Sequence, residues 1–394
     1  MKPNLPSFLR GLIWSLFGLI VCFPAEVVAQ DPFFTHFYGN ESSFNPAMTG
    51  FRGALSLVTK HKTQWAGLGV AHFRTTNATL EESLPCSIFD WGLNIRSDRE
   101  GEGLFKTMDF GFRLAGTIPW DLANSRHNLR LGAGLQWSFK GIDYSQLRFS
   151  DEIDAKYGFI FPTNFVPPND GRSLWFFTPS VGFTYRVLLD ETKTKSPTIQ
   201  LGGALHNAYG IGDNQLTGNE ESILQIGTKM ARRLSYFASV EFLPYYHRNV
   251  FLAIRPMVLH ERQAGISYWE MGSRFSVNRL LALGVYYHRS DSPAAGQNTD
   301  WLSFNLELGE VLGKSNRIDL GFSYSNSFTG LRNAVGPILE FTLAYHIADS
   351  PSCRWSGYGD EIPYGNRIKC PTSAQTPGRK KMYESIWYKT IHQN

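Results

Sequence analysis

From Leu129 to Lys140 the chain alternates strictly. Leu129, Leu131, Ala133, Leu135, Trp137 and Phe139 fall on one parity, and Arg130, Gly132, Gly134, Gln136, Ser138 and Lys140 on the other. A period of two puts the first set on one face of a β-strand and the second on the opposite face. The same texture returns at Phe89–Arg96, Met108–Leu114, Ser180–Val187, Leu302–Leu308, Ile318–Tyr324 and Leu339–Ile347. These segments approach the roughly 9–11 residues a tilted strand needs to cross a bilayer. After residue 29 no stretch is apolar for long enough to cross as a helix, so a membrane-bound form of this chain has to be a closed barrel.

A soluble β-sandwich would show the same alternation, its apolar face meeting a second sheet. Two features favour the bilayer. The polar parity carries charge and glycine in nearly every strand, as a lumen wall would: Arg96, Arg113, Arg130, Lys140, Arg186, Lys229, Glu241, Glu307, Asp319 and Glu340 point inward. Aromatic residues gather near strand ends, at Trp120, Trp137, Trp175, Tyr185, Tyr286, Tyr287, Trp301 and Tyr345, where a membrane interface would hold them. The mean hydropathy of −0.23 is no obstacle, since half of each barrel strand is polar. The expected fold is therefore all-β, a transmembrane antiparallel β-barrel of about 14 strands.

The N-terminus reads as an export signal. Lys2 and Arg10 precede an apolar run from Gly11 to Phe23, and Val27, Val28 and Ala29 offer a small-residue cleavage site, so residues 1–29 are a signal peptide and the mature chain starts at Gln30. Residues 30–51 are expected to form a periplasmic N-terminal segment and 52–348 the outer-membrane barrel. Within the barrel, Arg232-Arg233 and Arg262 read as turns, and Asp143–Ser173, with Pro162, Pro167 and Pro168, reads as a long extramembrane loop. Residues 349–371 form a Gly- and Pro-rich post-barrel segment, and 372–394 a basic C-terminal tail with Arg379, Lys380 and Lys381.

Chemistry-bearing patterns are scarce. Histidines are dispersed without metal-type spacing, and Gly67-Leu68-Gly69 and Gly132-Ala133-Gly134 lie in strand patterns with no helix to complete a phosphate cradle. Glu81-Glu82 and Asp151-Glu152-Asp154 read as solvated acidic residues. No catalytic residue, cofactor or metal is expected. The 38 Lys and Arg are scattered and the net charge is +4, which gives no footprint for nucleic acid. In an exported chain Cys353 and Cys370 are placed to close a short disulfide loop, leaving Cys86 free.

One set of motifs is more specific than periodicity. Gln30-Asp31-Pro32 opens an aromatic-rich stretch that leads to Asn45-Pro46-Ala47 and Gly50. Gln64-Trp65 follows one strand later, and Cys370-Pro371 stands near the end. The chain in this respect resembles the PorP/SprF family of type IX secretion system outer-membrane proteins from Bacteroidota. It departs from the family's pattern in continuing through 372–394. The resemblance implies a barrel that does no chemistry, that aids secretion and surface attachment of specific cargo proteins, gliding adhesins among them, and that has secretion components, cargo and outer-membrane lipid as partners. On that reading the segment Gln30–Gly50 and the tail face the periplasm. Two readings compete with it: a transport channel for a small or hydrophobic solute, favoured if the lumen is open, and an outer-membrane hydrolase, for which no local signature exists.

Overall fold

The computed structural model describes most residues from Phe34 to Ile347, together with Ser352; residues 1–33, 209–230, 353–394 and several short loop stretches lie outside that description. Lys229, Cys86, the Cys353–Cys370 pairing and the motif residues Gln30, Asp31, Pro32 and Pro371 are therefore not placed.

Fourteen strands close into one barrel. In chain order they are β1 (Leu55–Gln64), β2 (Phe73–Glu82), β3 (Phe89–Glu100), β4 (Phe105–Leu122), β5 (Ser125–Gly141), β8 (Leu174–Leu188) and β9 (Thr198–His206). They continue as β10 (Arg233–His247), β11 (Val250–Gln263), β12 (Ile266–Val277), β13 (Leu281–Asp291), β14 (Asn298–Leu312), β15 (Asn316–Ser327) and β16 (Ile338–Ile347). Each strand pairs antiparallel with its neighbour in the barrel sequence, and β1 closes on β16 from Leu55↔Ile347 to Thr63↔Leu339. Closure leaves no edge strand, the condition for a sheet to sit in hydrocarbon with every backbone group paired.

The alternation reads through to burial. Phe112 is 46% exposed on the outer wall while its neighbour Arg113 is 8% exposed inside. Tyr286 and Trp301 depart from expectation: neither joins the interfacial girdle, and both are buried in the lumen. The cause is parity, since Tyr286 shares its face with Ala282, Gly284 and His288, and the outward position belongs to Tyr287. The turn expected at Arg262 is also displaced. Arg262 pairs with Leu234 and Ser267 inside the ladder, and the chain reverses at Ala264-Gly265, both with positive φ (54° and 80°), the backbone of a tight type I′ hairpin. Arg233, likewise, opens β10.

Between β5 and β8 the chain leaves the barrel, forming 3-10 turns at Tyr144–Gln146 and Ser150–Glu152 and a short pairing of β6 (Ile153–Asp154) with β7 (Gly158–Phe159). Asp151 ties this loop together: its carboxylate accepts from the Asn164 N–H at 2.6 Å and from the Thr163 hydroxyl at 3.0 Å. The Asn164 hydrogen bond holds the Asp151 carboxyl below its ordinary range. A depressed folded-state value means the tie is intact above the ordinary carboxylate range and lost only as pH falls through the lowered value. Proteolysis of this loop is accordingly expected to stay slow into mild acid, and D151N to cleave faster at neutral pH.

Candidate functional site: a lumen filled by the N-terminal segment

A 14-stranded barrel is wider than the eight-stranded kind whose own side chains fill the bore. Here many inward positions are small, with glycine at 92, 111, 132, 134 and 182, so the strands leave a cleft that another segment has to fill. The filler is the chain's own N-terminal stretch. Phe34–Phe51 lies within the barrel and nearly all of it is buried, which corrects the expectation of an external periplasmic segment for these residues. The segment folds as a single helical turn, α1 (Glu41–Phe44), followed by a 3-10 turn at Pro46–Met48.

Asn45 is the hinge between the two turns and is fully buried. Its Oδ1 caps the 3-10 turn by accepting from the Ala47 N–H at 2.9 Å, and proline at the next position suits the first residue of that turn. Its Nδ2 donates to the carbonyls of Phe183 (2.9 Å) and Gly203 (3.2 Å) and to the Thr184 hydroxyl (3.3 Å) on β8 and β9. Gly182 makes this approach possible, because a Cβ there would overlap Asn45 Oδ1, and a Cβ on Gly132 would overlap the Pro46–Ala47 backbone. Gly50 has φ +69°, a conformation natural to glycine, and donates its N–H to Glu81 Oε2 at 3.0 Å.

The barrel wall satisfies the backbone of this irregular segment, as burial demands. Arg130 donates to the carbonyls of Ala47 (2.9 Å) and Thr49 (2.5 Å), to the Thr117 hydroxyl (2.8 Å) and to Asp90 (2.9 Å). His206 and Ser235 contact the Phe44 carbonyl at 2.8 and 3.2 Å. On the opposite wall Glu340 accepts from the N–H and hydroxyl of Thr35 (2.6 and 2.7 Å) and from the His36 N–H (3.1 Å), while Lys60 donates to the His36 and Tyr38 carbonyls. Aromatic packing completes the seal. Phe37, Phe44 and Phe237 meet with ring centroids 5.3–5.9 Å apart, and Arg255 and Arg274 stand 5.5 and 5.0 Å from the Tyr38 ring. Other lumen charges pair along the wall: Arg274 with Glu307 at 2.6 Å, Arg96 with Asp109 at 2.5 Å, and Arg255 with Glu241. Glu81 and Glu82, expected to be solvated, are buried, Glu82 accepting from the Trp91 indole N–H at 2.9 Å.

Of the motif residues, Asn45, Pro46, Ala47 and Gly50 come together in the lumen. Gln64 and Trp65 do not join them: Gln64 ends β1, and Trp65 turns the chain at φ 61° and packs edge-on against Phe73 at 4.8 Å. Lys60, His206, Ser235 and Glu81 are contributors that motif reading did not single out; the inward parity of β1, β9, β10 and β2 is the signal that marks them. A cavity of about 60 Å³ beside His36 and Phe44 holds a few waters and is far below the ~300 Å³ at which ligand sites begin. Among the described residues no cluster of three His, Cys, Asp or Glu could hold a metal ion.

A closed antiparallel barrel, apolar outside and packed inside by its own N-terminal segment, is an outer-membrane barrel of the plugged kind. The chain belongs to the family described as type IX secretion system membrane protein PorP/SprF, which matches residues 27–345; this is a family of secretion-system membrane proteins and not of enzymes. No curated protein matches the sequence. Among solved structures it is similar to the outer membrane protein Omp33 of Acinetobacter baumannii, at 8% identity over 76% of this chain and 99% of that one, with a TM-score of 0.34. It is also similar to a FadL homologue of Pseudomonas aeruginosa, at 12% identity over 78% and 93% of the two chains, with a TM-score of 0.36.

Proposed function

We propose that this barrel is a non-enzymatic anchor of the type IX system that aids secretion and surface attachment of specific cargo proteins, gliding adhesins being one class. The observation that carries this reading is the occupied lumen: a bore in which Asn45, Arg130 and Glu340 tie the Phe34–Phe51 segment to the wall supplies a rigid wall and exposed loops rather than an open channel among the described residues. With an even strand count both barrel ends share one side; taking it as periplasmic, every connection there has nine residues or fewer, Ala123-Asn124 among them, whereas the long connection between β5 and β8 lies on the other side together with the short Ala264-Gly265 hairpin. The β5–β8 loop accordingly faces the cell exterior, where it can meet cargo. Residues 1–29 would direct export, and the basic tail 372–394 would contact other secretion components from the periplasm. Deleting 372–394 is expected to reduce co-purification of those components while leaving the folded barrel intact; unchanged co-purification would remove the tail from the account. The whole reading is tested by deleting the gene and comparing the secreted and surface proteomes. A defined subset of cargo should be lost from the surface, and unchanged export of every type IX cargo would refute it.

A further inference from the structure

Three cations form one row across the outer wall of β2, β3 and β4. Arg74 is the register partner of Arg99, and Arg99 of Lys106; in each case the side chain is on the outward parity and exposed. Like charges placed directly opposite one another across strands repel. Among the described residues neither Arg99 nor Lys106 has a carboxylate within ion-pair distance. The next position in the row is Gly141 on β5, paired with Lys106, and with no side chain there the wall opens. A groove of about 590 Å³ results, with Arg99 and Lys106 at one end and Met108, Phe110 and Phe139 along its floor. Asp143 also lines the groove, and its Oδ1 is engaged by the Ser145 N–H (3.2 Å) and hydroxyl (2.5 Å).

The height of this groove is fixed by β4. From Met108 to Ile118 the outward residues are apolar or glycine, and ten steps of ~3.3 Å at a tilt of ~40° span about 25 Å, the height of a barrel's hydrocarbon belt. Two positions below Ile118, Trp120 stacks on His127 at 5.4 Å and on Tyr185 at 6.0 Å, an aromatic girdle at the opposite interface. Lys106 and its row therefore stand just above the belt, at headgroup level, where cations are tolerated on a lipid-facing wall. We infer that this groove is a binding site for one lipid of the outer leaflet bearing a phosphorylated headgroup, the phosphate bridging Arg99 and Lys106 and an acyl chain lying on Met108, Phe110 and Phe139. An anion here relieves the repulsion between Arg99 and Lys106, neither of which has an ion pair among the described residues, and the adjoining floor is apolar where an acyl chain would run. The assignment to the outer leaflet rests on the orientation proposed above.

The test uses the full-length protein in detergent, titrated with bis-phosphorylated lipid A and followed by native mass spectrometry. The wild type should bind the phosphorylated lipid in preference to its dephosphorylated analogue, and R99Q/K106Q should bind it roughly thirtyfold more weakly. K156Q, which removes a cation from the exposed loop, should bind as the wild type does. Removing a repulsive pair should leave the barrel folded; G141L, which fills the groove and keeps both cations, gives an independent reading and should also lose binding. Equal affinity of R99Q/K106Q and wild type, no preference for the phosphorylated lipid, or inorganic phosphate competing as well as the lipid itself would overturn the site. Orientation is read separately by thiol labelling of K156C on intact cells. Labelling only after the outer membrane is breached overturns the orientation and with it the outer-leaflet occupant, whereas lost lipid binding with K156C labelled overturns the lipid site alone.

Discussion

Replacing Arg130 by methionine is expected to lower the stability of the barrel by about 3–5 kcal/mol, the largest loss predicted for any single side chain here. The guanidinium is 1% exposed and serves four acceptors, two of them carbonyls of the N-terminal segment and one the carboxylate of Asp90, itself fully buried. Methionine fills much of the volume and removes the cation facing Asp90, whose carboxylate keeps the Leu84 N–H at 2.8 Å but loses its buried counter-charge, which costs more than the pair contributed. Urea unfolding in detergent, followed by tryptophan fluorescence and by heat-dependent migration on gels, would measure the loss. R130M/D90N should be less destabilised than the sum of its two parts, because much of the penalty is that of a buried negative charge whose cation has been removed. R130K should fall between, since one ammonium cannot reproduce the planar fork that spans Ala47, Thr49 and Asp90.

The second large effect concerns the seal. A Cβ at Gly132 falls on the backbone of Pro46 and Ala47, and valine adds two further methyl groups. Backbone cannot rotate out of the way as a flexible side chain can, so G132V should dislodge the 3-10 turn and with it the four hydrogen bonds of Asn45. The barrel itself keeps its ladder, because the lumen charges exposed by the loss are solvated by entering water. The expected outcome is a folded barrel with proteolysis between Phe44 and Phe51 and new ion conductance. N45A, which removes the bonds without a clash, should show a weaker form of both changes.

How far the sequence leads can be judged from particular residues. The strand at Leu129–Lys140 was legible because its two parities face different solvents, and Arg130 and Lys140 lie inside as their parity requires. The expected strand number was met. Tyr286 and Trp301 depart from the interfacial expectation because parity, not aromatic type, sets the face, and the interior of a plugged barrel needs aromatic packing as much as the interface does. The seal itself was not legible. Asn45-Pro46 announces a turn, and nothing local says that the turn sits inside the bore: its partners Phe183, Gly203 and Arg130 are between 83 and 158 residues away. The clue lay in the inward glycines, since Gly92, Gly132 and Gly182 on a polar parity leave room that Thr49, the Pro46–Ala47 backbone and Asn45 occupy.

Conductance of the wild-type protein in planar bilayers tests the central claim most directly, which is that the N-terminal segment closes the lumen and makes this barrel an anchor. The account predicts a silent membrane with the wild type and discrete openings with G132V under the same conditions. A robust ohmic pore from the wild-type protein would contradict it.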